Sequence, residues 1–318
     1  MMIRNERKRK RRKQNKSVPY DYSEAFNQSL DELNDIFRYE VTQTVQKKDY
    51  ALKEIKAGSQ LEVEIYPQFN YWDEVPEAGR KELNEKLRRA QANLNEKNAR
   101  KNLIRKINAN FTDGDLWLTL TYDAEHLPED GNMDEALSNM QKFIRRVNRR
   151  RKKLGLPNAK YIYVTEYSPL DKIRWHHHIV MDGALPPDEV LKLWGQSSRN
   201  EARRIQTDEN GLTGMAKYIV KQTKRIYGEK RWNSSQGLIE PDIKVTHNKP
   251  SAAGAKDYKK IERYVRKFIR DNNTIEEQLL RWYPSYDFTD SEIFFNDFNG
   301  LFYIRARMRE RKRGRKRE

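Results

Sequence analysis

Three of the chain's five histidines stand in a row, in Trp175-His176-His177-His178-Ile179-Val180-Met181. Flanking apolar residues predict a strand here, and successive side chains of a strand face opposite ways. His176 and His178 therefore share one face, about 6.5–7 Å apart, while His177 takes the other. Two imidazoles so placed can converge on one metal ion. Tyr161-Ile162-Tyr163-Val164-Thr165-Glu166-Tyr167 predicts the preceding strand, with Ser168-Pro169 in the turn between the two. Glu166 shares a face with Ile162 and Val164. If the strands pair, its carboxylate lies beside the imidazoles. Two histidines and one carboxylate leave positions open for substrate oxygens. An arbitrary histidine run is more often a solvated loop or a packed strand, because histidine has many roles. Here the apolar flanks make two inward imidazoles costly unless something coordinates or hydrogen-bonds them.

A second element with chemical capacity is Gly214-Met215-Ala216-Lys217-Tyr218-Ile219-Val220-Lys221-Gln222-Thr223-Lys224-Arg225. Its apolar positions predict a helix with a basic opposite side. Tyr218 and Lys221 are three apart and share a face, which Lys224 and Arg225 extend. Ammonium groups around a phenol favour its phenolate and attract phosphate. By spacing alone a tyrosine on a basic helix is more often surface than nucleophile, and this chain holds 17 tyrosines.

The elements that must position these residues follow from pattern. Leu61 to Tyr66 alternates apolar and acidic, a half-exposed strand ending at Pro67. Leu83, Leu87, Ala90, Leu94, Leu103 and Ile107 mark a long helix over 77–109. Leu116 to Tyr122 is rich in strand formers. Asn132 caps a helix together with Glu135, and Leu137, Met140, Ile144 and Val147 are its buried stripe. That helix has a basic end and stops at Gly155-Leu156-Pro157. Pro186-Pro187-Asp188 opens a short helix through Trp194, and Tyr258, Ile261, Val265 and Phe268 mark another. Thr274 and Glu277 form a capping box, and residues 286–304 form a hairpin around Asn299-Gly300.

Composition narrows the substrate. The formal net charge is +17 in 318 residues. Residues 4–16 hold nine bases against one acid, and 305–318 hold nine against two. A nearly balanced body with two cationic ends is not histone-like, and it points to DNA or RNA. The chain has no cysteine, hence no disulfide, thiolate zinc site or thiol nucleophile. It has no apolar run of membrane-spanning length and no secretory signal at the start, which leads us to expect a cytoplasmic protein without a membrane partner.

Taken together, these motifs resemble those of the HUH-type rolling-circle replication initiators of bacterial phages and integrative elements. Leu118-Thr119-Leu120-Thr121-Tyr122 resembles the family's first motif, and Trp175 to Val180 its His-hydrophobe-His motif. Ala216 to Lys221 resembles the tyrosine helix, Val164 to Tyr167 the upstream acidic ligand, and Lys230 to Leu238 a segment that follows the helix. The similarity in motif order runs from about Asn108 to Leu238. Two departures stand out. The middle position of the histidine motif is His177, not a hydrophobe. Gly214 stands where some relatives carry a second tyrosine, which favours a single active tyrosine.

The resemblance implies an α+β fold, with an antiparallel RRM-like sheet and flanking helices. It implies a site-specific nickase and strand transferase acting on single-stranded or locally melted origin DNA. Glu166, His176 and His178 would hold Mg²⁺ or Mn²⁺, and Tyr218 would attack phosphorus with Lys221 assisting. Lys217, Lys224, Arg225, Arg231 and Trp232 would contact DNA. A host helicase and polymerase would be the further partners. The expected organisation is a disordered basic tail (1–17), an N-terminal extension (18–107), the endonuclease core (108–238), a helical and hairpin extension (239–304) and a basic tail (305–318). Competing readings are a conjugative relaxase, a non-catalytic single-stranded nucleic-acid binder whose aromatic residues Tyr161, Tyr163, Trp175 and Trp232 stack bases, and a plain His-site metalloprotein. Relaxases often carry the tyrosine before the histidines, whereas Tyr218 follows them.

Overall fold

The computed structural model describes residues 27–29, 50–68, 98–216, 232–247, 261–296 and 301–311. The expected tail over 1–17, most of the expected helix over 77–97 and the Asn299-Gly300 turn lie outside them. In chain order the strands are β1 (Asn27–Ser29), β2 (Tyr50–Ala57), β3 (Gln60–Pro67), β4 (Leu116–Leu120), β5 (Tyr161–Ser168), β6 (Ile173–Met181), β7 (Glu201–Arg204), β8 (Asn233–Ser234), β9 (Asp242–His247), β10 (Tyr286–Asn296) and β11 (Leu301–Glu310). The helices are α1 (98–110), α2 (Met133–Lys153), α3 (Pro187–Lys192), α4 (Ile261–Arg270) and α5 (Asn273–Trp282). A further helix begins at 213. The fold is α+β, as expected, but with two antiparallel sheets. One has the order β1-β10-β11-β3-β2-β9, the other β7-β4-β6-β5-β8.

The six-stranded sheet is assembled from both ends of the sequence. Leu61, Val63 and Ile65 of β3 face a core closed by Val265 and Phe268 of α4 and Ile275 and Leu279 of α5. The alternate positions carry charge. Glu62 and Glu64 lie opposite Arg307 and Arg305 of β11, and Arg307 also pairs with Asp290 of β10. The basic run 305–318 is therefore not all tail: its first six residues belong to β11. Ala306 and Met308 fill the core, and Arg305 and Arg307 meet acids from other strands. Nothing in the run itself reveals those partners.

Helix α1 joins the two sheets. Leu103 and Ile107 pack into the core of the five-stranded sheet, beside Trp117, Ile162, Val164 and Val180. Arg105 leaves the helix on another side and is almost fully buried. It donates to Glu62 at 2.6 Å and to Glu64 at 2.9 Å. Burial alone would push the Glu64 carboxyl up, but Arg105, Lys101, Lys53 and Arg305 together hold it below its usual range. Close contact is also built in at Gly58, in the β2–β3 turn with φ +60°, where a Cβ would meet the Asn108 carbonyl oxygen at 2.2 Å.

Helix α2 starts as its sequence predicts, with Asn132 Oδ1 accepting from the Glu135 backbone N–H at 3.1 Å. The Thr274/Glu277 capping box does not form. The Thr274 hydroxyl donates to the Asp271 carbonyl instead, and Asp271 Oδ1 accepts from the Asn273 N–H. Strands β2, β7, β8 and β9 have no counterpart in the sequence reading.

Candidate metal centre

Strand alternation delivers the three expected ligands to one place. β5 and β6 pair antiparallel, with Glu166 opposite His176 and Val164 opposite His178. Directly opposed residues share a face, so both imidazoles and the carboxylate project from the side of the sheet that carries Ile162, Val164 and Trp117. One ligand atom from each of Glu166, His176 and His178 lies within 4.8 Å of the others. The two Nε2 atoms are 3.2 Å apart, and His176 Nε2 is 3.2 Å from Glu166 Oε2. A register shift between Glu166 and Ser168 bends β5 just past the acid.

The surroundings set the protonation. His176 Nδ1 donates to the Arg174 carbonyl at 2.8 Å, which leaves the lone pair on Nε2. His178 Nδ1 lies 3.3 Å from Thr119 Oγ1, and its ring is tilted against Trp117 at a centroid distance of 5.6 Å. Burial, with His176 adding to it, takes the His178 imidazole down to about 4, so it is neutral at physiological pH. Burial also pulls His176 down, but the Glu166 carboxylate and the Arg174 carbonyl outweigh it, and the net direction is up. Glu166 is 1% exposed, and neither carboxylate oxygen has a hydrogen-bond partner among the described residues. The 3.2 Å approach to His176 brings opposite charges close without hydrogen-bond geometry. A buried carboxylate left without a donor is costly. Beside two Nε2 lone pairs, it is the donor set a divalent cation would satisfy.

His177 meets a different environment. It is fully buried, with Thr165 Oγ1 2.9 Å from Nδ1 and the Tyr122 hydroxyl 2.8 Å from Nε2. Tyr163 and Trp194 pack edge-on around it. Burial takes its imidazole down to about 3, again neutral. A neutral imidazole has one donor and one acceptor, and two hydroxyls match both. That is how a histidine fits where the resembled motif has a hydrophobe.

The helix that begins at 213 lies on the side of the candidate ligands. Leu212 and Ala216 are buried in the core formed by Trp117, Ile162, Val164 and Val180. Asn108 anchors this start, accepting from the Leu212 N–H at 2.8 Å and donating to Thr213 Oγ1 at 3.3 Å. Tyr218, Lys221, Lys217, Lys224, Arg225 and Arg231 lie outside the described residues. Trp232 is half-buried against the same core, a packing position. Trp175 is buried and stacks on Tyr167 at 4.2 Å, and Tyr163 is buried in the opposite core. Sequence reasoning missed Thr119, Thr165 and Tyr122 as partners of the histidines. Alternation in Leu118-Thr119-Leu120-Thr121-Tyr122 shows which of these residues share a face, but the register against β6 was needed to pair them.

This arrangement defines an α+β protein with a His-His-Glu cluster set on an antiparallel sheet. Residues 115–224, about a third of the chain, match the family described as Replication-associated protein ORF2. The matched segment starts one residue before β4 and includes β5, β6 and the start of the helix at 213, so the similarity covers the whole cluster. It supports a replication initiator. Neither the curated proteins nor the solved structures compared with the chain give a match.

Proposed function

We propose that the protein initiates rolling-circle replication as an HUH-type nickase that cuts single-stranded or locally melted origin DNA. The observation that carries this reading is the convergence of Glu166, His176 and His178 on the sheet face where the helix leading to Tyr218 begins. Similarity to replication-associated proteins adds the DNA context. Among the described residues, no helix is long and apolar enough to cross a membrane.

Glu166, His176 and His178 would hold Mg²⁺ or Mn²⁺, which when bound acts as a Lewis acid on the scissile phosphate and orients it. The chain's own residues do the rest. The Arg174 carbonyl fixes the His176 tautomer and Thr119 orients His178. The Tyr218 oxygen attacks phosphorus in line; a P–O bond to the tyrosine forms as the bond to the 3′ oxygen breaks. The phenolic proton leaves Tyr218, and the departing oxygen gains one to become the 3′-OH used by a polymerase. Lys221 balances charge beside the phosphate and handles the proton. The 5′-phosphotyrosine link conserves the phosphodiester energy for later rejoining.

The test is a denaturing gel of labelled single-stranded origin DNA incubated with protein and Mn²⁺. A covalent protein–DNA band is expected, lost in Tyr218→Phe and in His176→Ala. Cleavage that survives His176→Ala and His178→Ala refutes the ligand assignment. The absence of any covalent band with the wild-type chain leaves a non-catalytic nucleic-acid binder.

A further inference from the structure

Helix α2 lies on the side of the five-stranded sheet opposite the His-His-Glu cluster. Its Ala136, Met140, Phe143 and Val147 pack against Leu116, Leu118, Leu120 and Ile179. Its cations divide into two groups. Three arginines are engaged within the fold. Arg146 donates to the Leu193 and Trp194 carbonyls, Arg150 to Glu189, and Arg151 to Asp182 and the Pro157 carbonyl. The other five, Lys142, Arg145, Arg149, Lys152 and Lys153, are exposed, and none makes an ion pair with a described residue. At 3.6 residues per turn, all five fall within a sector of about 100°. The helix's acids, Asp134 and Glu135, are confined to its first turn, and residues 142–153 contain none.

The helix dipole accounts for part of this. Cations in the last turn are favoured by the carbonyl end, an effect that fades within that turn. Lys152 and Lys153 fit that explanation, whereas Lys142 and Arg145 lie two to three turns further back. From Lys142 to Lys153 the stripe runs about 16 Å along a rigid rod. One strand of a DNA duplex offers a phosphate every 3.4 Å or so, so the stripe spans about five phosphates. A rigid line of charge matches a rigid line of phosphates with little loss of conformational freedom, which favours duplex over a flexible single strand.

We propose that the exposed face of α2 is a second DNA-binding surface, one that holds the phosphate backbone of duplex DNA on the side of the sheet away from the nicking site. It rests on the nicking reading only for the choice of DNA as polyanion. The protein would then hold duplex on one face of the sheet while the strand to be cut lies on the other.

The experiment measures binding of the full chain to a fluorescent duplex of arbitrary sequence, about three helical turns long, by anisotropy across a NaCl series. Each phosphate contact adds about 0.9 to the slope of log affinity against log salt. Lys142→Gln/Arg145→Gln/Arg149→Gln is expected to lower the slope by roughly 2.7, and Lys152→Gln/Lys153→Gln by roughly 1.8. The control neutralises three exposed cations elsewhere, Arg263→Gln/Lys267→Gln/Arg270→Gln on α4, and is expected to lower it by well under one unit. A stripe variant that leaves the slope unchanged, or a control that lowers it equally, overturns the proposal. Melting temperatures confirm that all variants fold. The nicking gel is scored separately: an altered slope without nicking retains this surface and refutes the nickase, and nicking with an unaltered slope does the reverse.

Discussion

The two faces of the five-stranded sheet treat the same residue type in opposite ways. His177 points into a core where two hydroxyls satisfy both of its nitrogens. His176 and His178 point across the sheet to a buried carboxylate that no hydrogen-bond donor satisfies among the described residues. Three consecutive histidines thus yield one packed side chain and two candidate ligands, and the pleat alone decides which is which. What separates structure from function here is the balance of donors and acceptors. A buried polar group with its partners in place stabilises the fold, whereas one without them is destabilising until something binds.

The sharpest test of this contrast is ligand loss. His176→Ala is expected to lower Mn²⁺ affinity by at least about 100-fold, since even the outer partners of metal ligands are worth 10–100-fold. Titration calorimetry reads this directly, and equal affinity in wild type and variant would end the comparison. On the other face the expected loss is stability. His177→Ala opens a cavity and strands the Thr165 and Tyr122 hydroxyls, for a cost of about 3 kcal/mol in urea unfolding. Its effect on Mn²⁺ affinity should be far smaller than that of His176→Ala.

A third prediction has the opposite sign. Glu166→Gln, unfolded with chelator present, is expected to raise stability by about 1–2 kcal/mol, because it removes an unpaired buried carboxylate. The same variant should bind Mn²⁺ poorly. A loss of stability in chelator would show that Glu166 is already satisfied within the fold, and the two faces would no longer differ in kind.

How much of this was legible beforehand follows from the range of the interactions. Alternation along β5 and β6 is local, so the shared face of Glu166, His176 and His178 could be read from the sequence. So could the Asn132 cap, which spans three residues. Long-range pairing could not. Arg305 and Arg307 look like the start of a charged tail because Glu62 and Glu64 are remote in sequence and Asp290 lies on another strand. The basic end of α2 reads as one uniform run, although Arg151 is buried against Asp182 and its neighbour Lys152 is exposed. The partners of His177 come from two other strand segments, and only the register brings them together.

The smallest predicted effect probes how the cluster is oriented. Thr119 Oγ1 lies 3.3 Å from His178 Nδ1, long enough for a weak bond yet placed to keep the lone pair on Nε2. Thr119→Val preserves shape and removes the hydroxyl. An imidazole released from that contact samples both tautomers, and only one of them offers Nε2 to a cation. We expect Mn²⁺ affinity to fall about tenfold, the low end for outer partners, with little change in unfolding free energy. Unchanged affinity would shift the orienting role to the Trp117 ring, which packs against His178 from the same strand as Thr119, and Trp117→Leu would then carry the loss.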